Sequence, residues 1–155
     1  MSQLDDLYQE LILDHSKRPR RFGPLAEANR QAEGFNRLCG DRVTVRLEME
    51  GGRVRQVRFQ GSGCAISTAS ASLMAEAVEG KTREEAERLF QRFHAMVTGR
   101  TPAAGAADEA PLGKLAVFAG VSEYPARVKC ASLAWHTLER ALHGEPDRKA
   151  PVTTE

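Results

Sequence analysis

Val43-Thr44-Val45-Arg46-Leu47-Glu48-Met49-Glu50-Gly51-Gly52-Arg53-Val54-Arg55-Gln56-Val57-Arg58-Phe59 is the stretch whose reading decides the fold. Val43, Val45, Leu47 and Met49 alternate with Thr44, Arg46 and Glu48, which gives an extended strand with one apolar and one polar face. Gly51-Gly52 supplies the turn, and Val54, Val57 and Phe59 lie in a return strand with less regular alternation. A hairpin with a single apolar face has to be covered, and helical patterns stand on both sides of it. Upstream, Leu4, Leu7, Tyr8, Leu11 and Ile12 recur at helical spacing over residues 3–16, and Pro19 stops that helix. Residues 17–36 read mostly as connection, with Pro19, Gly23, Pro24 and Gly34 as breakers, and a further strand is expected around Gly34–Leu38.

Downstream, residues 65–79 form a helix pattern of small side chains (Ala65, Ser67, Thr68, Ala69, Ser70, Ala71, Ser72) followed by Leu73, Met74 and Val78, with Gly80 as its stop. Small side chains let such a helix lie close to a sheet. Thr82-Arg83-Glu84-Glu85 is a capping box that opens a helix running to about Val97. Residues 99–111 are Ala-rich, are broken by Gly99, Pro102, Gly105 and Pro111, and read as an exposed excursion. Leu112–Val121 reads as a short helix, and Pro125 precedes a final helix over Ala126–His143. Strands followed by helices predict an α+β fold, with a small antiparallel sheet of about three strands packed against helices. The expected organisation is one domain over residues 1–144 and a disordered tail over 145–155.

At 155 residues, with 41% hydrophobic and 28% charged side chains, the chain suits a single globular domain with a core large enough to need no disulfides. A net charge of +1 argues against a dedicated nucleic-acid binder. The one dense basic run, Lys17-Arg18-Pro19-Arg20-Arg21, reads as a solvated loop after a helix. No run approaches a membrane span, and the acidic start MSQLDDLYQEL does not resemble a signal peptide. Three cysteines, an odd number, fit a reducing, cytoplasmic setting, where thiols bind metal or do chemistry more often than they form bridges.

Cys39, Cys64 and Cys130 are far apart in sequence, yet each sits where a thiolate is favoured. Cys39 shares the loop Cys39-Gly40-Asp41 with a carboxylate. Cys64 follows Gly61-Ser62-Gly63 at the start of the small-residue helix, where unpaired N–H groups and the helix dipole stabilise negative charge. Cys130 lies near the start of the last helix beside Arg127 and Lys129. Any one of them alone is as readily an inert buried hydrophobe. Three thiols and one carboxylate nevertheless make the four ligands of a tetrahedral zinc site, although the spacing matches no C-x-x-C ribbon. A carboxylate is more easily displaced than a thiolate, so such a site can open and free a cysteine as a nucleophile toward a persulfide. The four histidines, His15, His94, His136 and His143, read as surface or packing residues, and Ser67, Thr68 and Ser70 as helix-packing residues.

The segments Asn36-Arg37-Leu38-Cys39-Gly40-Asp41, Phe59-Gln60-Gly61-Ser62-Gly63-Cys64-Ala65-Ile66-Ser67 and Arg127-Val128-Lys129-Cys130-Ala131 resemble the IscU/NifU-N family of iron–sulfur cluster assembly proteins, and Leu7 to His15 fits as well. The resemblance runs from about Leu4 to Gly144 and is nearest to the SufU branch. IscU-type scaffolds carry a His immediately before the third cysteine, where this chain has Lys129. They also carry a Leu-Pro-Pro-Val-Lys segment, where this chain has Tyr124-Pro125-Ala126-Arg127-Val128-Lys129. The stretch between Cys64 and Cys130 is longer than in IscU, with an insertion at about 94–112.

The resemblance implies an IscU/SufE-like fold and a zinc site of Cys39, Asp41, Cys64 and Cys130. It implies a zinc-dependent sulfurtransferase whose Cys39 accepts persulfide sulfur from a SufS-type, PLP-dependent cysteine desulfurase. That sulfur would pass to a downstream iron–sulfur scaffold or other acceptor. Arg127 matches a position tied to partner engagement. The competing implication is a scaffold that assembles a [2Fe–2S] cluster on the same residues, and a purely structural zinc is a third.

Overall fold

The computed structural model describes residues 3–36, 40–99, 113–143 and 152–153. The hairpin forms as its alternation requires. β2 (Asp41–Glu50) pairs antiparallel with β3 (Arg53–Ser62), and Val43, Val45, Leu47, Val54, Val57 and Phe59 all point into the core. The irregular alternation of the return strand has a structural cause: the register shifts between Glu48 and Met49, where a bulge places one more residue on one strand than on the other.

The third strand, β1 (Arg30–Asn36), pairs antiparallel with β2 from Arg30↔Leu47 to Asn36↔Asp41. It begins four residues before the stretch expected from sequence. Its inward residues are Ala32, Gly34 and Asn36, so the strand is half-buried without an apolar alternation to reveal it. A two-residue strand, β4 (Val152–Thr153), adds in parallel to the other edge of β1, within the stretch expected to be a disordered tail; residues 144–151 and 154–155 lie outside the described residues. The expected insertion at 94–112 falls mostly on residues 100–112, which also lie outside them.

One face of the sheet is covered by helices. α1 (Gln3–Lys17), α2 (Ala65–Val78), α3 (Arg83–Val97) and α4 (Pro125–Leu142) match the sequence expectations to within a residue or two. In α2 the small residues Ser67, Ala69, Ser70, Ala71, Ser72 and Ala75 are buried together with Leu73, Met74 and Val78. Ser70 Oγ donates to Ala131 O of α4 at 2.5 Å, so a polar side chain is satisfied where the two helices meet. The capping box of α3 is complete: Glu85 N donates to Thr82 Oγ1 at 3.1 Å and Thr82 N to Glu85 Oε1 at 2.9 Å. A cap of this kind contributes about 1 kcal/mol.

The segment Gly113–Glu123 is a 3-10 helix rather than an α-helix. Among its buried residues Leu115, Phe118 and Val121 recur every third position, the repeat that stacks on one edge of a 3-10 helix, and Val117 is buried beside them. Phe118 meets Phe93 edge-on at 5.7 Å, and Phe93 stacks on Trp135 of α4 at 4.7 Å.

α4 crosses β1 at Gly34. A Cβ at that position would overlap Thr137 Oγ1 and stand 3.0 Å from Leu133 Cδ1. The missing side chain therefore sets how closely α4 approaches the sheet. The basic run after α1 is only partly solvated. Lys17 and Arg18 are exposed, whereas Arg20 pairs with Asp14 at 2.6 Å and Arg21 with Glu79 at 2.8 Å. Arg20 N and His15 Nδ1 both bond Ser72 Oγ of α2, at 2.8 and 2.6 Å, so the end of α1 is latched onto α2. Because Ser72 Oγ accepts from Arg20 N, its own hydrogen is free to donate to a neutral His15.

Two predictions follow from this packing. Gly34→Ala should lower the unfolding free energy by about 1–3 kcal/mol through overpacking against α4, as measured by urea titration. The second concerns pH. Burial, with the Arg20 charge, pushes the His15 pKa below its ordinary value of 6.5, and burial with His94 does the same for His136. The native state favours both neutral rings, so their contribution to stability is fully present above the unfolded value and is lost as pH falls through the depressed native values. Stability should therefore decline below about pH 6.5, and His15→Asn, which retains an acceptor for Ser72 without the titration, should flatten part of that slope.

Candidate metal centre

Asp41, Cys64 and Cys130 converge: one donor atom from each lies within 4.8 Å of the other two. They come from three elements. Asp41 opens β2, Cys64 caps α2, and Cys130 is the sixth residue of α4. Cys39 lies outside the described residues, but Asn36 and Asp41, which flank its segment, are register partners, and Gly40 N donates to Asn36 O at 2.7 Å.

Asp41 is the hinge of the arrangement and is fully buried. Its Oδ1 accepts from the backbone N–H of Cys64 at 3.0 Å, and its Oδ2 lies 3.9 Å from Cys64 Sγ. One carboxylate oxygen is thus used to bind the start of α2, and the other faces the sulfur. Gly63 makes this possible, because a Cβ there would stand 2.5 Å from Asp41 Oδ1 and 3.0 Å from its Cγ. Gly63, of the run Gly61-Ser62-Gly63, is thus the residue that lets a buried carboxylate reach the helix.

Cys64 is the N-cap of α2, a position usually filled by Ser, Thr, Asp or Asn. Its Sγ accepts from Ser67 N at 3.4 Å, as a capping hydroxyl would. This places the sulfur at the positive end of the helix dipole, as expected from sequence. Cys130 differs from that expectation. It sits beyond the first turn of α4, where the dipole has largely faded, and is only 3% exposed. Its sulfur instead receives Asn36 Nδ2 from the end of β1 at 3.8 Å. Asn36 was visible in the sequence only as part of a motif. Its contact with a sulfur 94 residues away depends on the tertiary fold.

The residues fit a thiophilic cation. Two thiols and a carboxylate form the donor set, and the carboxylate is buried, where uncompensated negative charge is costly. Ligands on a tetrahedral zinc stand about 3.5–3.8 Å apart, so donors within 4.8 Å of one another need to contract by at most about 1.3 Å. Neither described cysteine is in a disulfide, and Cys64 is exposed. Arg127, exposed on the first turn of α4, is one helical turn from Cys130, and Lys129 is half-buried beside it. Of the histidines, His15 belongs to the latch on α2, and His94 and His136 pack with Phe90 between α3 and α4; none of these three is within the donor cluster.

Comparison with known proteins gives the family and the fold. The family model described as the NifU-like N terminal domain matches residues 7–143. The chain is 38% identical over 144 residues to the zinc-dependent sulfurtransferase SufU of Bacillus subtilis, covering 93% of this chain and 95% of that one. It is 40% identical over 136 residues to the iron–sulfur cluster assembly scaffold protein IscU of Thermotoga maritima, covering 88% and 92%. Among solved structures, the N-terminal part of a nitrogen-fixing NifU-like protein from Brucella abortus superposes with a TM-score of 0.80 at 30% identity, covering 96% of this chain and all of that one.

Gly63→Ala should displace the Asp41 carboxylate from the Cys64 N–H and weaken zinc binding by about tenfold or more, as measured by chelator competition. Unchanged affinity would show that Asp41 does not act as a ligand through this geometry.

Proposed function

We propose that this chain, which belongs to the NifU-like N-terminal domain family, is a sulfurtransferase that takes persulfide sulfur from a cysteine desulfurase and relays it toward iron–sulfur cluster assembly. The observation that carries the reading is the convergence of Asp41, Cys64 and Cys130, a mixed thiolate–carboxylate set that is buried on one side and open on the other. Asp41, Cys64 and Cys130 would hold zinc together with Cys39, which is two residues from Asp41 and within chain reach of the same point. Bound zinc would keep its thiol ligands deprotonated near neutral pH.

Cys39 is the proposed acceptor. Cys64 and Cys130 each start or lie within a helix and receive N–H donors, which suits them as anchors. Cys39 stands two residues before Asp41, the carboxylate ligand that is more easily displaced than a thiolate. In the transfer, the Cys39 thiolate attacks the terminal sulfur of the partner's persulfide. A new S–S bond forms on Cys39, the partner's S–S bond breaks, and the partner's cysteine leaves as a thiolate. No external oxidant or reductant is required, because one disulfide-type bond replaces another. The exposed Arg127, beside the centre on α4, is placed to meet an anionic group on the partner. The desulfurase, not this chain, would carry PLP.

A second reading, a scaffold that assembles a [2Fe–2S] cluster, is favoured by the scaffold protein from Thermotoga maritima, which is as similar to this chain as the SufU protein is. Lys129 favours sulfur transfer over the scaffold, since an ammonium beside Cys130 is not a cluster ligand, whereas the imidazole expected there in IscU-type scaffolds is one. Cys39→Ala should abolish stimulation of a cognate desulfurase in a turnover assay, while retained stimulation would exclude Cys39 as the acceptor. Anaerobic reconstitution separates the two readings. Tight zinc that resists exchange supports the transferase, and a stable cluster that moves to an apo-protein supports the scaffold.

A further inference from the structure

We propose that Asn36 is a positioning residue of this centre: its side-chain amide donates to the Cys130 sulfur and holds that sulfur as the fixed, weakly nucleophilic ligand of the set. The inference rests on the metal-binding reading above.

Asn36 is the last residue of β1 and is fully buried. Three of its contacts bear on the centre. Its backbone carbonyl accepts from Gly40 N at 2.7 Å, next to Asp41. Its register partner is Asp41, the buried carboxylate of the centre. Its Nδ2 lies 3.8 Å from Cys130 Sγ. A neutral thiol is a poor acceptor, whereas a thiolate accepts an N–H strongly. With the amide turned the other way, a carbonyl oxygen would face the sulfur, a contact that a thiolate would repel. The arrangement therefore suits the deprotonated, metal-bound state.

The two described cysteines are also treated differently. Cys64 is exposed, so water can solvate its charge, and Ser67 N adds one donor at 3.4 Å. Cys130 is only 3% exposed, and the Asn36 amide substitutes for the water it lacks. An N–H···S bond draws charge from the sulfur and lowers its nucleophilicity, and it also fixes the direction of the side chain. Because Asn36 also pairs with Asp41, one residue ties the carboxylate of the centre to the anchor on α4.

Zinc affinity and cobalt(II) spectra of Asn36→Leu and Asn36→Asp test this. Leu is close in volume and lacks a donor; Asp keeps the shape and presents a carboxylate. Both should bind zinc about tenfold or more weakly. Their sulfur-to-cobalt charge-transfer bands should move to longer wavelength, a change that a purely structural role would not produce. Should the variants fail to fold, the wild-type protein loaded with NMR-active cadmium gives an independent measurement. A scalar coupling across the hydrogen bond should connect the metal to the Asn36 side-chain amide proton. Absence of that coupling for the assigned amide, or folded variants with wild-type affinity and cobalt spectrum, overturns the proposal alone. A wild-type protein with no thiolate-to-cobalt band overturns the metal reading and this inference with it.

Discussion

The hydrogen bond from the Cys64 backbone N–H to the buried Asp41 carboxylate, at 3.0 Å, is the contact on which the rest of the centre depends. It joins the first residue of β2 to the cap of α2 and so sets where the helix begins relative to the sheet. A buried carboxylate is tolerated only when its charge is answered. Here the answer comes in part from the Cys64 backbone N–H at a helix start and in part from whatever the outward oxygen and the two sulfurs bind. The bare backbone of Gly63 is the condition for that approach, since any side chain would occupy the place of the carboxylate.

The packing behind the centre follows from the same need for closeness. α2 and α4 must both bring a cysteine to the end of one sheet. The small residues of α2 and the missing side chain of Gly34 let the helices come near enough. Polar groups brought into contact by this approach are satisfied locally, as with Ser70 and the Ala131 carbonyl or Ser72 and the end of α1. The aromatic stack of Phe93, Trp135 and Phe118 fills the other side of α4, away from the cysteines. Tight packing and a polar ligand set thus occupy opposite faces of one helix.

The chemistry open to the centre comes from its asymmetry. Cys130 is enclosed, Cys64 is exposed at a helix cap, and the carboxylate lies between them. A site closed by four equivalent thiolates inside a core would be structural. A site with one hard ligand and one exposed thiolate is suited to exchanging a ligand. The same feature is compatible with sulfur transfer and with cluster assembly, and so relatives named for each can share one fold.

The sequence by itself determined the hairpin, the four α-helices and three donor residues that the fold brings together, Asp41, Cys64 and Cys130. Period-two alternation at Val43–Met49, the Thr82 capping box and the glycine before Cys64 are local signals, and local backbone preferences are enough to express them. Strand β1 was legible only in part, because its inward positions are Ala32, Gly34 and Asn36, whose small or polar side chains carry no apolar alternation. The 3-10 geometry of Gly113–Glu123 was hidden for a related reason: its apolar residues also suit an α-helix until packing selects the three-residue repeat. Only the tertiary structure decided that Cys130 is buried beyond the first turn of α4, that Asn36 reaches its sulfur, and that Asp41 binds the cap of α2. Each of these is a contact between residues tens of positions apart, and distance along a chain says nothing about direction in space until the core is packed.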